Sequence, residues 1–270
     1  MPFLLDHVDT VVLAGGLNTV PLFEDYTPGY KALLEFNGKP SLCYTLEALR
    51  AVPQVGRICI AGPEAALRPV VGAQDHAAYD FVASGETLID SIYSGLGHFA
   101  ESPMVLLVTA DIPLITPAAI SDFLRACAPV EPEFEQNLCF SMVPKASFTG
   151  AYAEFPKGFN RFRDVAIRYG SLMLADPRLL QNTKATRRLN SLYNNRKSPI
   201  SSALATGLHV GLTYVLGVHL WHLLTIEQMA HIASRRFDIG LIPLLVNHPE
   251  ITIGVDEPAD YAFVKQQLGG

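Results

Sequence analysis

The stretch Thr10-Val11-Val12-Leu13-Ala14-Gly15-Gly16 joins a short apolar run to a pair of glycines. A run of this length without polar alternation has the pattern of a strand buried on both faces, as in a parallel sheet. Gly15 and Gly16 carry no side chain, so the main chain there can approach a ligand closely and turn its N–H groups toward phosphate oxygens. A glycine pair behind a strand is also an ordinary turn, so the surrounding sequence has to decide. No G-x-G-x-x-G follows, which excludes the dinucleotide fingerprint. Gly38-Lys39-Pro40-Ser41 is not a P-loop, because Leu33 stands where the leading glycine belongs; it reads as a turn before a helix.

Outward from the glycines, residues 15–30 form a polar loop holding Pro21, Pro28 and Gly29. Pro40 opens a helical pattern to residue 50, with Leu42, Leu46 and Leu49 on one face. Strands are expected at 57–61, 79–83, 104–108 and 137–143. Helices are expected at 63–71, from about 87 to 99 after Gly85, and after Thr116-Pro117, a cap followed by a first-turn proline. Strands alternating with helices from residue 10 to about 143 predict an α/β fold with a mostly parallel sheet covered on both faces. Beyond Pro144 the pattern loosens. Residues 162–168 and 171–175 have strand character, 177–234 read as successive helices, and 239–246 and 251–255 return to strand. A last helix runs over 257–268, opened by Glu257-Pro258. The expectation is one domain over 1–270, with a helical lobe inserted at 145–236.

The formal net charge of −6 over 270 residues argues against broad nucleic-acid binding, which needs a basic face. The four cysteines, Cys43, Cys59, Cys127 and Cys139, form no C-x-x-C pair, and each lies in an apolar run as a buried reduced thiol does. With no basic leader in residues 1–9, a cytoplasmic setting is expected. Residues 203–224 contain no Lys, Arg, Asp or Glu and have the length of a membrane span. Three glycines and three histidines, His209, His219 and His222, weigh against a span. Buried helices are expected there, with a homo-oligomer or membrane-surface contact as the second reading.

In an open parallel sheet, ligands bind beyond the carboxyl ends of the strands. The glycine turn, Asp111 and Asp256 all fall at such ends. Asp111 sits between an apolar strand and Ile112-Pro113, where Thr116 is the better helix cap, so its carboxylate is free for a metal. Magnesium takes one or two carboxylates with phosphate oxygens. Asp256 suits the second, although it is also placed to cap the last helix. Asp260, one turn on, reads as a surface or dipole-favoured residue. Lys31 enters an apolar strand from the polar loop and can aim its ammonium back at phosphates.

Taken together, these residues resemble the MobA-like nucleotidyltransferases, relatives of the molybdenum-cofactor guanylyltransferase and the isoprenoid cytidylyltransferase. The opening block is Val12-Leu13-Ala14-Gly15-Gly16; the lysine block is Lys31-Ala32-Leu33-Leu34 with Gly38-Lys39-Pro40. The metal block is Thr109-Ala110-Asp111-Ile112-Pro113, and the closing block runs from Val255 to Asp260. A fifth, Gly85-Glu86-Thr87 through Ser91 and Gly95, is similar to the segment near base and ribose. The resemblance implies a Rossmann-like three-layer α/β/α fold of the glycosyltransferase-A type. It implies NMP transfer from an NTP, CTP or GTP by analogy, to a small and usually phosphorylated acceptor, with pyrophosphate leaving. Leu13, Ala14, Gly15, Gly16, Lys31, Gly85, Glu86, Thr87 and Ser91 would seat the nucleotide. Lys31 and Asp111 would be catalytic, and Asp111 and Asp256 would hold Mg²⁺, or Mn²⁺ in its place. One departure stands out: relatives carry an arginine soon after the glycine turn, whereas here fourteen residues without arginine separate Gly16 from Lys31. Arg161, Arg163 and Arg168 are the replacement candidates. The competing readings are a non-catalytic or regulatory nucleotide-binding protein and a nucleotide-sugar glycosyltransferase, which would usually show D-x-D where this chain has Asp111-Ile112-Pro113.

Overall fold

The computed structural model describes residues 2–71, 79–155, 158–183, 186 and 224–269. Its main sheet contains β1 (Val8–Leu13), β2 (Val55–Ala61), β3 (Tyr79–Val82), β4 (Val105–Thr109), β5 (Asn137–Pro144), β6 (Asn160–Arg161), β7 (Ala166–Ala175) and β8 (Gly240–Leu245). The order across the sheet is β8-β5-β7-β4-β1-β2-β3, with β6 beside β7. Neighbours are parallel throughout except at β7, which runs antiparallel to β4, β5 and β6. The chain winds from β1 outward through β2 and β3, then returns to place β4 on the other side of β1. That reversal creates the crevice at which open α/β sheets bind ligands.

The strands lack polar alternation because both faces are covered. Val12 and Ala14 share one core layer with Leu42, Leu46 and Leu49 of α1 (Ser41–Arg50) and Ile120 and Phe123 of α4 (Pro117–Cys127). Val11 and Leu13 face the opposite layer, with Leu96 of α3 (Leu88–His98) and Phe237 of α5 (Ile226–Phe237). This is the three-layer α/β/α architecture. A Cβ on Gly95 would lie 2.4 Å from Val11 Cγ1, so the glycine lets α3 rest directly on the central strand. Cys59, Cys127 and Cys139 are buried, and all four cysteines are free thiols. Burial pushes the Cys59 thiol up to about 12, well out of reactive range.

Some expected elements differ. The two strands expected over 162–175 are one strand, β7, whose register shifts between Tyr169 and Met173. Gly170 lies in this irregularity, and a Cβ on it would come within 2.3 Å of Ser141 Oγ and 2.9 Å of Ile251 Cδ1. The strand expected at 251–255 is absent. A 3-10 turn (Pro249–Thr252) and a stretch without regular structure take its place. Ile251, Ile253 and Val255 are apolar because they are buried, not because they join a ladder. Residues 63–71 split into the short α2 (Glu64–Leu67) and a 3-10 turn, because Pro69 interrupts the helix. Of the helices expected over 177–234, the described residues hold a 3-10 turn (Pro177–Gln181) and α5. Residues 203–223 of the apolar stretch lie outside the described residues. Among the described residues no helix is long and apolar enough to cross a membrane.

Candidate functional site

The ends of β1 and β4 are stitched together, since the Ala110 N–H donates to Leu13 C=O at 3.0 Å. Gly15 follows at once. A Cβ there would sit 2.4 Å from Ser84 Cβ, so only glycine lets this turn lie against the loop between β3 and α3. The long excursion after Gly16 folds back on itself. Leu17–Asn18 pairs antiparallel with Gly29–Tyr30, and the Lys31 N–H donates to Gly16 C=O at 2.9 Å. The ribbon therefore cancels the fourteen-residue spacing and returns Lys31 to the glycine turn.

Lys31 meets both candidate metal carboxylates. Its Nζ lies 3.4 Å from Asp111 Oδ2 and also donates to Asp256 Oδ1. Burial alone would lower the ammonium's pKa. The charge of Asp111, and the hydrogen bond and charge of Asp256, outweigh it and hold Lys31 above the ordinary lysine value. Asp111 follows β4 and is also held by the closing segment: its C=O accepts the Val255 N–H at 3.2 Å, and a Cβ on Gly254 would pass 3.5 Å from its Oδ2. The segment 253–256 thus crosses directly beside β4's end. Asp111 is 21% exposed and Asp256 55%, so Asp256 forms the solvent side of the pair.

The donor set suits a hard divalent cation. Two carboxylate oxygens converge on one ammonium, and Mg²⁺ typically needs only such a pair, with phosphate oxygens and water completing its shell. Among the described residues no group of three or more His, Cys, Asp or Glu side chains stands together as a metal cage.

The Gly85 to Ser91 segment follows Ser84, the residue that packs against Gly15. Thr87 caps α3 in a capping box with Asp90, and Ser91 Oγ accepts from Gly85 N–H at 3.1 Å while donating to Thr87 C=O at 3.0 Å. These side chains shape the turn through internal bonds, while Gly85 and Glu86 are exposed on it.

Other polar contacts are not apparent from local sequence. The cap of α6 (Pro258–Gln267) is Glu257, not Asp256. Asp260 is not a surface residue. It is fully buried, and its Oδ2 accepts the N–H groups of Asp256 at 3.0 Å and Glu257 at 2.9 Å. Asn18, also buried, donates to Asp256 C=O at 3.4 Å and accepts from Val20 N–H at 2.9 Å. Its partner is remote in sequence, and the only local hint is its place in a loop that needs a fastening. Of the arginines considered as phosphate cations, Arg168 points inward. It packs over the Phe155 ring and donates to Thr252 C=O at 3.3 Å. Burial lowers its pKa, against the opposing charge of Asp260. Arg161 and Arg163 are exposed on the β6–β7 hairpin.

Residues 10–146 match the family model of the MobA-like NTP transferase domain. No curated protein sequence matches the chain. Among solved structures, a hypothetical transferase from Thermus thermophilus is 27% identical, with a TM-score of 0.72, 94% of this chain covered and 99% of that one. A CMP:2-keto-3-deoxy-manno-octonic acid synthetase complexed with CTP is similar at 15% identity and TM-score 0.56, covering 97% and 98%. A 4-diphosphocytidyl-2C-methyl-D-erythritol synthase from Anaerococcus prevotii is similar at 12% identity and TM-score 0.55, covering 98% and 97%. The last two likenesses are of fold.

Proposed function

The chain belongs to the MobA-like NTP transferase family, and from that premise we propose that it transfers an NMP group from CTP or GTP to a small phosphorylated acceptor. The observation that carries this reading is the convergence of Lys31, Asp111 and Asp256 beside the glycine turn. An acceptor phosphate oxygen attacks the α-phosphorus. The bond from that phosphorus to the bridging oxygen breaks, and pyrophosphate leaves with the electron pair. Such a transfer needs alignment and charge neutralisation more than a covalent residue.

In this scheme the main-chain N–H groups of Gly15 and Gly16 seat the phosphates, and Lys31 turns from the carboxylates to offset their charge. Asp111 and Asp256 would hold Mg²⁺, which when bound neutralises the phosphates and polarises the α-phosphate. Gly85 and Glu86, exposed just after Ser84, are suited to contact ribose or base. The β6–β7 hairpin would form part of the acceptor side, where exposed Arg161 and Arg163 suit a phosphorylated molecule.

A non-catalytic nucleotide-binding role is the second reading. It is favoured by the loop after the glycine turn, which exposes Leu17, Val20 and Phe23 and carries no arginine. A thermal-shift panel of the four NTPs with Mg²⁺ tests binding and identifies the base. A pyrophosphate-release assay with phosphorylated acceptors separates the two readings. Stabilisation by one NTP with pyrophosphate release is expected; no shift with any NTP would overturn both.

A further inference from the structure

Asp256 belongs to no strand or helix, so no ladder holds its peptide. Both polar groups of that peptide are nevertheless held, each by a buried side chain. Asp260 Oδ2 accepts its N–H at 3.0 Å, and Asn18 Nδ2 donates to its C=O at 3.4 Å. A capping box for α6 requires only that Asp260 accept the N–H of the cap residue itself, which it does from Glu257 at 2.9 Å.

The bond to Asp256 N–H and the one from Asn18 therefore go beyond what capping needs. Asp260 is fully buried, and a buried carboxylate is costly unless it is bonded and balanced. Two N–H groups, the N-terminus of α6 and the nearby charge of Arg168 supply that balance. Arg168 is also bonded to the same closing segment, at Thr252 C=O.

We propose that Asp260 and Asn18 are positioning residues for Asp256, clamping its peptide from both sides so that its carboxylate meets Lys31 beside Asp111. Asn18 lies in the loop that follows the glycine turn. The clamp thus ties the nucleotide loop to the metal-binding segment, and occupancy of one favours order in the other. This inference rests on the proposed reading of Asp256 as a metal ligand.

The test uses the full chain with Asp260→Asn, Asn18→Ala and Asp111→Ala. Mn²⁺ is titrated in and the free ion read by electron paramagnetic resonance. Amide hydrogen exchange is followed at residues 256 and 257. Asp260→Asn and Asn18→Ala are each expected to raise the Mn²⁺ half-saturation about tenfold, the scale at which groups orienting a metal ligand act. Exchange at residue 256 should quicken in both. Quicker exchange with unchanged Mn²⁺ affinity would show a purely structural clamp and overturn the proposal. If Asp260→Asn does not fold, Asn18→Ala decides alone. Wild-type protein that takes up no Mn²⁺, or uptake that survives Asp111→Ala, would instead overturn the metal reading on which the proposal rests.

Discussion

Asp111 and Asp256 face the same ammonium but are held in different ways. Asp111 follows a central strand paired on both sides, and its place comes from the sheet. Asp256 lies on a segment without a ladder, and its place is built by Asn18, Asp260 and packing against β7. The difference separates two kinds of sensitivity. At Asp111 the carboxylate itself should matter most. At Asp256 the neighbours should matter nearly as much as the ligand.

The largest effect should come from Asp111→Ala. Metal-dependent NTP turnover is expected to fall by about 10³-fold, the scale of losing a main electrostatic contact in a transition state. The chain should still fold, with a modest fall in thermal midpoint, because the substitution takes one of two carboxylate partners from Lys31 but leaves the core layers intact. Turnover assays beside a melting curve check this, and undiminished turnover would falsify the metal assignment. Lys31→Met should follow, at about 10²-fold, because it removes the cation shared by both carboxylates. The pH dependence has a definite sign. The Lys31 pKa is raised, so its stabilisation is complete below the ordinary value of 10.5 and is lost as pH rises through the higher folded value. Alkaline titration of the wild type and Lys31→Met should therefore show their midpoints converging above that pH.

These two sites also mark how far the fold and site are legible in the sequence. The strand carrying Asp111 is readable because a continuous apolar run ending in Asp-Ile-Pro has one natural place in a parallel sheet. Lys31 is readable as a residue but not as a neighbour of Gly16, since that depends on the ribbon formed by the intervening loop. The closing segment misleads. Ile251, Ile253 and Val255 alternate like a strand, yet what they satisfy is burial beneath the site. Asp260 resembles a surface residue because a glutamate cap precedes it, where Ser, Thr, Asp or Asn is the usual signal. Asn18 cannot be found locally, because its partner lies 238 positions away.

Gly170→Ala sharpens the comparison at the level of packing. The added methyl would meet Ser141 Oγ at 2.3 Å and Ile251 Cδ1 at 2.9 Å, pushing the closing segment away from β7. Overpacking of this kind costs about 1–3 kcal/mol. Denaturant unfolding should show that loss together with a weaker apparent metal affinity, because Asp256 lies on the segment, whereas Asp111 follows β4 and meets the segment only at Gly254 and Val255. A stability loss with unchanged metal affinity would mean that Asp256 is held independently of the packing beneath it.

The smallest effect should come from the upstream anchor of the same segment. His248 has Nδ1 3.1 Å from Glu250 Oε1 and Nε2 2.9 Å from Asp122 Oδ2 on α4, and Glu250 also accepts from Thr116 Oγ1 at 3.0 Å. The imidazole thus ties this turn to the middle of α4, and Glu250 ties it to the helix cap at Thr116. His248→Gln should cost about 1 kcal/mol, the net worth of a hydrogen bond to a charged group in a partly exposed setting. The sign with pH follows from Asp122. The hydrogen bond from His248 holds its carboxyl below the ordinary value of 3.8, with Arg125 adding to it against burial. A depressed carboxylate stabilises above its unfolded pKa and loses that contribution as pH falls through the folded value. Asp122 is 43% exposed, so solvent screening keeps its share small. The gap in thermal midpoint between wild type and His248→Gln should therefore narrow on acidification below 3.8. A gap that stayed constant through that range would mean that His248 acts through packing alone.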